Sequence, residues 1–355
     1  MNNISLRSIK YESIKAIFTS IADSEKISRA EISEKTGLSL VTIGKIADAL
    51  LDLEIISQVK EVRPQAGRRA GMLSVNENKF ALILDFTSYE FRYAVLDLRL
   101  SMTEKSQYQY RNELTFEENL GCFLAETRAA IDTKLSLENC FGIGVAVSGP
   151  YNSDSDRVIS SRVPELCTIS LERTVAKHFP GMIIRIDSQV NAAAKSNITH
   201  VDNYKEKNIV YWYIGNSYVC GAYLVGGNLI LGKDKHACQF GAMRFSDGET
   251  LEGKLEKCDD IEAYADTLSS AVGTVIRILS PHLLIIEYDA KFVCSDIIPL
   301  IKTNLIEKYG ILHENMPDMI RACCKYRNSH RGLTMDLRDL WLDRLVFDEE
   351  YFRLQ

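Results

Sequence analysis

The chain has 355 residues, 46% hydrophobic and 25% charged, with nine cysteines and a formal net charge of −6. Its length calls for two or three domains, each able to bury a core, and its composition is that of a soluble globular protein. No apolar stretch approaches the roughly 20 residues a membrane helix needs, and MNNISLRSIKYE lacks the apolar core of a signal peptide, so a cytoplasmic protein without a membrane partner is expected. The cysteines are odd in number and form no CxxC pair, which fits a reducing compartment and structural thiols. Charge is uneven: residues 1–80 hold 12 Lys plus Arg against 10 Asp plus Glu, leaving 30 against 38 elsewhere. The acidic balance therefore lies outside the N-terminal segment, where local cations decide any phosphate binding.

In chain order, a first helix is expected over about Leu6 to Ala22, with Ile9, Ile14, Ile17, Phe18 and Ile21 as its apolar stripe. SRAEISEKTGLSLVTIGKIADALLDLEII follows, in which two short helical patterns meet at Gly37 in the layout of a helix-turn-helix. Ile27, Ala30 and Ile32 are expected to pack inward, with Leu38, Ile43, Ile46 and Leu50 behind the turn. Ser28 and Ser39 stand at N-cap positions, and Glu31 completes a capping box with Ser28. The second helix, from Ser39, would present Leu40, Val41, Thr42, Gly44 and Lys45 to a major groove: Thr42 for a base edge or a thymine methyl, Lys45 for a phosphate or guanine, Gly44 for close backbone approach. Two short strands, IISQVKEV and GMLSVN, flank a tip carrying Arg63, Arg68 and Arg69, a wing suited to a narrow minor groove. An ordinary three-helix subdomain is the bland alternative; turn glycine, two caps, apolar spacing and an arginine-bearing hairpin in this order argue against it.

Near Asn76 the helical period ends, placing a DNA-binding domain at 1–78 and a second region at 79–355, with lobes of about 79–200 and 201–355. ALILDFTSYEFRYAVLDLRL reads as two β runs around a polar tip, and helices then alternate with the strands CFGIGVAVSGP, MIIRID, NIVYWYIG, YVCGAYLVGG and HLLIIEYD. That alternation predicts an α/β body with a largely buried sheet in each of two lobes. Near the C-terminus, LRDLWLDRLVF has the spacing of an amphipathic helix for packing or dimer contact.

This order of segments resembles the ROK family of repressors and sugar kinases, over nearly all the chain to about residue 295. SRAEIS and GRRA stand where the family's repressors have an SRAELA-type opening and a GRPA-type wing end, and GIGVAVSGP matches a GIGVAVPGP-type strand. The resemblance implies a winged helix-turn-helix followed by an actin-like, hexokinase-type two-lobed domain. It also implies motifs that this chain can be checked against. The first phosphate loop, DIGGT in form, is Asp85, Phe86, Thr87, Ser88 and Tyr89, with both glycines lost. The ENDANAAA motif falls on Asp187 to Ala194, so the catalytic aspartate position is Gln189, an amide unable to accept the sugar hydroxyl's proton. In the second phosphate loop, GTGIGAG in form, Ser217 and Val219 replace the inner glycines; in AGEIGHM, Gln239 replaces the sugar-contacting glutamate and Ala242 the histidine. The zinc run CxCGxxGC is reduced to SDGETLEGKLEKCDD with a lone Cys258, so no metal is expected, His236 and Cys238 notwithstanding. Glu287 and Tyr288 replace the glycine pair that approaches adenine.

The expectation is thus a cytoplasmic, DNA-binding transcriptional regulator, a repressor, nucleoid-associated when on DNA and without catalytic residues or cofactor. Its partner is double-stranded DNA carrying an inverted-repeat operator; a homodimer or higher homo-oligomer would place two recognition helices about 34 Å apart. A sugar or sugar derivative is the expected effector, held by Ser188, Gln189, Gln239 and the backbone near Gly149, although the same glutamines can serve as structural amides in a ligandless body. The alternatives are an ATP-dependent sugar kinase and a protein-interaction scaffold.

Overall fold

The structure is a computed structural model, described over residues 6–59, 71–215, 218–289, 296–323 and 328–347. The N-terminal segment runs α1 (Leu6–Ala22), β1 (Ile27–Ser28), α2 (Arg29–Thr36), α3 (Leu40–Asp52), β2 (Ile56–Val59) and β3 (Met72–Val75). Ile14, Ile17, Phe18 and Ile21 of α1 are buried with Ile32, Ile43, Ile46 and Leu50 of the two following helices. Each such side chain stabilises the trihelical core by roughly 1.5–3 kcal/mol. Ala30 is exposed, contrary to the expectation that it packs inward; it lies about 200° around the helix from the buried Ile32. The three strands pair in the order β1-β3-β2, antiparallel, with Ile56 opposite Val75 and Ile27 opposite Leu73. The wing tip with Arg63, Arg68 and Arg69 falls outside the described residues.

Next come β4 (Phe80–Phe86), β5 (Arg92–Asp97), β6 (Met102–Gln107), α4 (Phe116–Leu135), β7 (Cys140–Val147), the small strands β8 (Tyr151–Asn152) and β9 (Arg157–Val158), α5 (Leu171–His178), β10 (Ile184–Ser188) and α6 (Gln189–Ile198). The remainder is β11 (Asn208–Gly215), β12 (Val219–Val225), β13 (Asn228–Leu229), α7 (Leu251–Glu256), α8 (Ile261–Leu279), β14 (Leu283–Asp289), α9 (Ile298–Glu307), β15 (Asp318–Arg321) and α10 (Asn328–Phe347). Two five-stranded sheets result, β10-β7-β4-β5-β6 and β13-β12-β11-β14-β15. Each is a three-strand meander whose first strand also borders the fourth strand of its own set, so one topology occurs twice.

The chain divides into two compact units, one of Met1–Ala146, Leu171–Ile186 and Leu333–Gln355, the other of Val147–Ser170 and Asp187–Gly332. The sequence pattern suggests continuous lobes at 79–200 and 201–355; the units interleave instead, because β10 joins the first sheet and the C-terminal helix returns to the first unit. In the second unit, Trp212, Ile214, Leu284 and Ile286 pack with Val272 of α8 and Leu305 of α9, while Ile209, Tyr211 and Ile285 pack with Val190, Ala194 and Ile198 of α6. Both faces of the β11–β14 pair are thereby buried, which explains the near-continuous apolar run of these strands.

In the first unit, α10 lies on β7, where glycines make the room. A Cβ on Gly142 would stand 2.8 Å from Leu337 Cδ2, and one on Gly144 2.6 Å from Ile83 Cδ1 and 3.0 Å from Leu333 Cβ. Trp341 stacks on Phe141 with ring centroids 5.2 Å apart. The same helix reaches α1: Lys15 Nζ pairs with Asp339 at 2.5 Å, and the buried Arg338 places its guanidinium 5.3 Å from the Phe18 ring while donating to Leu98 O at 2.9 Å.

Candidate nucleic-acid interface and interior site

The outward face of the N-terminal segment is set by its caps. The Ser28 hydroxyl accepts from Glu31 N–H at 3.2 Å and the Glu31 carboxylate accepts from Ser28 N–H at 2.8 Å, so α2 begins on a complete capping box. It ends at Gly37, whose φ of 71° is left-handed and turns the chain toward α3. Ser39 then caps α3: its Oγ accepts from Thr42 N–H at 3.2 Å and lies 2.9 Å from Thr42 Oγ1. Leu40, Val41 and Lys45 project outward from this first turn and a half, all exposed. Gly44 is half-buried, and Arg29, which the motif reading passes over, lies beside it, held by an ion pair to Asp48 at 2.6 Å.

The interior residues are arranged differently from a phosphate site. In the first loop, Asp85 Oδ1 accepts from Thr87 N–H at 3.0 Å and from the Thr87 hydroxyl at 2.6 Å, while Ser88 Oγ accepts from Glu90 N–H at 3.3 Å. The loop's amides therefore turn onto its own side chains. In the second loop, Val219 N–H donates to Glu252 Oε1 at 2.7 Å, so a protein carboxylate takes an amide of the kind that cradles phosphate.

Gln189 opens α6, and its side-chain Nε2 donates to the Tyr218 hydroxyl. The Tyr218 ring stacks on Tyr213 with centroids 5.0 Å apart, and the Arg162 guanidinium covers it at 3.6 Å. Burial, then the neighbouring Tyr213, drives the Tyr218 hydroxyl far above its ordinary pKa, so it stays protonated. Arg162 is placed by the turn after β7: Ser148 Oγ accepts from Arg162 N–H at 3.1 Å and lies 2.7 Å from Ser161 Oγ. Gly149 is obligatory there, because a Cβ would stand 1.6 Å from Ser160 O.

Of the four residues expected to hold a ligand, Gln189 therefore meets Tyr218 and Gly149 is packed against Ser160. Ser188 is turned to cap α6, accepting from Asn191 N–H at 3.2 Å, and Gln239 is exposed. The residues that sequence reasoning misses are Tyr218, Arg162 and Glu252. A bulky aromatic in a glycine loop is the available signal for Tyr218, whereas the other two lie in distant segments.

The residues at the metal and nucleotide positions fit neither group. Burial pushes the Cys238 thiol up to about 11, which disfavours the thiolate that zinc takes, and the Cys258 thiol donates to Lys254 O at 3.3 Å. At the adenine position, buried Glu287 accepts from the Tyr211 hydroxyl and from Asn328 Nδ2, the latter at 2.8 Å, and Arg321 covers the Tyr288 ring at 4.3 Å. The two side chains at that position are thus engaged with other side chains of the protein. At position 189 the side chain is an amide, which cannot take a hydroxyl proton.

A capped helix-turn-helix with paired strands is followed by a twice-used five-stranded β/α topology, an actin-like body. Its fold is that of ROK proteins. A ROK family transcriptional regulator, a homologue of E. coli MLC protein, superposes with a TM-score of 0.71 at 16% identity, over 95% of this chain and 98% of that one. A ROK family glucokinase from Streptomyces griseus, solved with glucose and AMPPNP, gives 0.54 at 12% identity over 72% of this chain and 98% of that one. In sequence, a "Putative xylose repressor" of Caldicellulosiruptor sp. (strain Rt8B.4) is 25% identical over 191 residues, 50% of this chain and 45% of that protein. The chain thus matches somewhat under half the length of that curated relative, and no family model matches it. Among the described residues, no helix is long and apolar enough to cross a membrane.

Proposed function

We propose that this protein is a DNA-binding transcriptional regulator, a repressor, whose residues 1–78 read an inverted-repeat operator and whose kinase-like body pairs two copies without transferring phosphate. The observation that carries the reading is the capped first turn of α3, projecting Leu40, Val41 and Lys45 from a helix otherwise rooted in a buried core. Such a turn is the part of a helix-turn-helix that enters a major groove. The repressor named among its relatives and the regulator of like fold point the same way. Selecting bound fragments from the organism's DNA with the purified full chain tests it, and a wild-type chain that enriches no sequence would overturn it.

A small-molecule effector, on this reading, enters beside Gly149, Ser188, Gln189 and Gln239 and must compete with Tyr218 for the Gln189 amide. Xylose heads the panel to test, because the relative bears the name "Putative xylose repressor". Sugar-dependent release of a bound operator fragment supports the effector; release by no pentose, hexose or sugar derivative would reduce the body to a pairing unit. The kinase reading draws on the fold shared with a glucokinase, but Gln189 and the engaged loop amides weigh against it.

A further inference from the structure

We infer that α3 reads thymine through its C5 methyl group, with Leu40 and Val41 as the reading side chains. The inference rests on the regulator reading above and specifies the chemistry of that surface. Three features of the first turn carry it. Leu40 and Val41 are 58% and 70% exposed, on a helix whose Ile43, Ile46 and Leu50 are buried. The two hydroxyls of the turn are already engaged: Ser39 Oγ accepts from Thr42 N–H and the two side-chain oxygens lie 2.9 Å apart, so Thr42 is turned into the cap rather than toward a base. Lys45 stands one turn beyond Val41 on the same helix face and is exposed, supplying a cation beside the apolar pair.

Among the groups that B-DNA displays in the major groove, the thymine methyl is the apolar one; the others are hydrogen-bond donors and acceptors. Leucine and valine placed over a guanine O6 or a cytosine amino group would strip its water and return no hydrogen bond, a cost of about 1–3 kcal/mol. Over a thymine methyl, the same side chains bury apolar surface on both partners. Lys45, one turn beyond Val41, pairs with a phosphate flanking the thymine step.

The test uses duplexes selected from a random library by the full chain. Each thymine of a protected half-site is replaced singly by uracil, which removes the methyl and keeps every hydrogen-bonding group. At one or two adjacent thymines the replacement is expected to weaken binding about fourfold, the value of one buried methyl. In Leu40→Ala and Val41→Ala, both exposed positions whose unfolding transitions should match wild type, the difference between thymine and uracil at the corresponding base should vanish. Equal affinity of the wild-type chain for thymine and uracil duplexes throughout the half-site would overturn the inference and leave the regulator reading standing. So would a difference that persists in both variants. A library from which nothing is selected would remove both.

Discussion

On the proposed reading, the amide at position 189 offers no base, and placing a carboxylate there should not confer catalysis. Gln189→Asp is expected to show no ATP-dependent phosphorylation of a hexose panel in a coupled assay, because Val219 N–H is bonded to Glu252 and Thr87 N–H to Asp85, leaving no loop to hold the phosphates. Turnover clearly above the no-enzyme rate would show that the loops can open. The loss of the base is legible in the sequence, since a glutamine at a motif position is visible without a structure. Its new partner is not: Tyr218 meets Gln189, and Arg162 covers Tyr218, only after a turn beyond β7 and the β11–β12 loop have folded together. A second residue-scale consequence concerns Cys140, whose buried thiol is pushed up from 9.0 to about 12. A thiol held protonated in the folded state favours that state below the unfolded pKa and ceases to as pH rises through the folded one. Stability should therefore fall between about pH 9 and about pH 12, and Cys140→Ala should flatten that part of a urea-midpoint profile; an unchanged alkaline slope would assign the loss to other groups.

Helix α10 shows what pattern can and cannot announce about an element. Its apolar spacing is readable, but its docking partner is a strand far upstream whose only signal is two glycines alternating with large residues in Cys140–Val147. Gly142 and Gly144 are there because α10 comes too close for a Cβ. Gly144→Ala should overpack Ile83 and Leu333 and cost about 1–3 kcal/mol, while Leu337→Ala should leave a cavity and cost about 2–5 kcal/mol. Chemical denaturation followed by tryptophan fluorescence reads both, since Trp341 is stacked on Phe141 in the same contact. A Gly144→Ala variant as stable as wild type would mean that α10 can shift without loss. The helix-turn-helix is the most legible element, because its caps and left-handed glycine are local and need no distant partner. Ala30 defeats the sequence pattern for the opposite reason: on an eight-residue helix, tertiary packing rather than a short apolar pattern decides which face is covered.

For the whole molecule, the charge distribution turns the question of pairing into a measurable slope. Residues 1–80 carry a small excess of cations while the rest of the chain carries the acidic surplus, so the proposed reading assigns the phosphate contacts to the heads. Each contact neutralised on duplex DNA adds about 0.9 to the magnitude of the slope of log K against log salt. On the proposed reading Lys45, exposed on α3, supplies one such contact in each head. If two copies engage an inverted repeat together, Lys45→Ala should reduce the slope by about two, since each protomer loses one phosphate contact. A reduction of about one would mean that a single head binds at a time and that the kinase-like body does not present two recognition helices to one operator. No reduction would place Lys45 on a base or in solvent. Titrations over a range of potassium chloride concentrations, on one selected duplex with wild type and variant, distinguish the three results whatever the effector is.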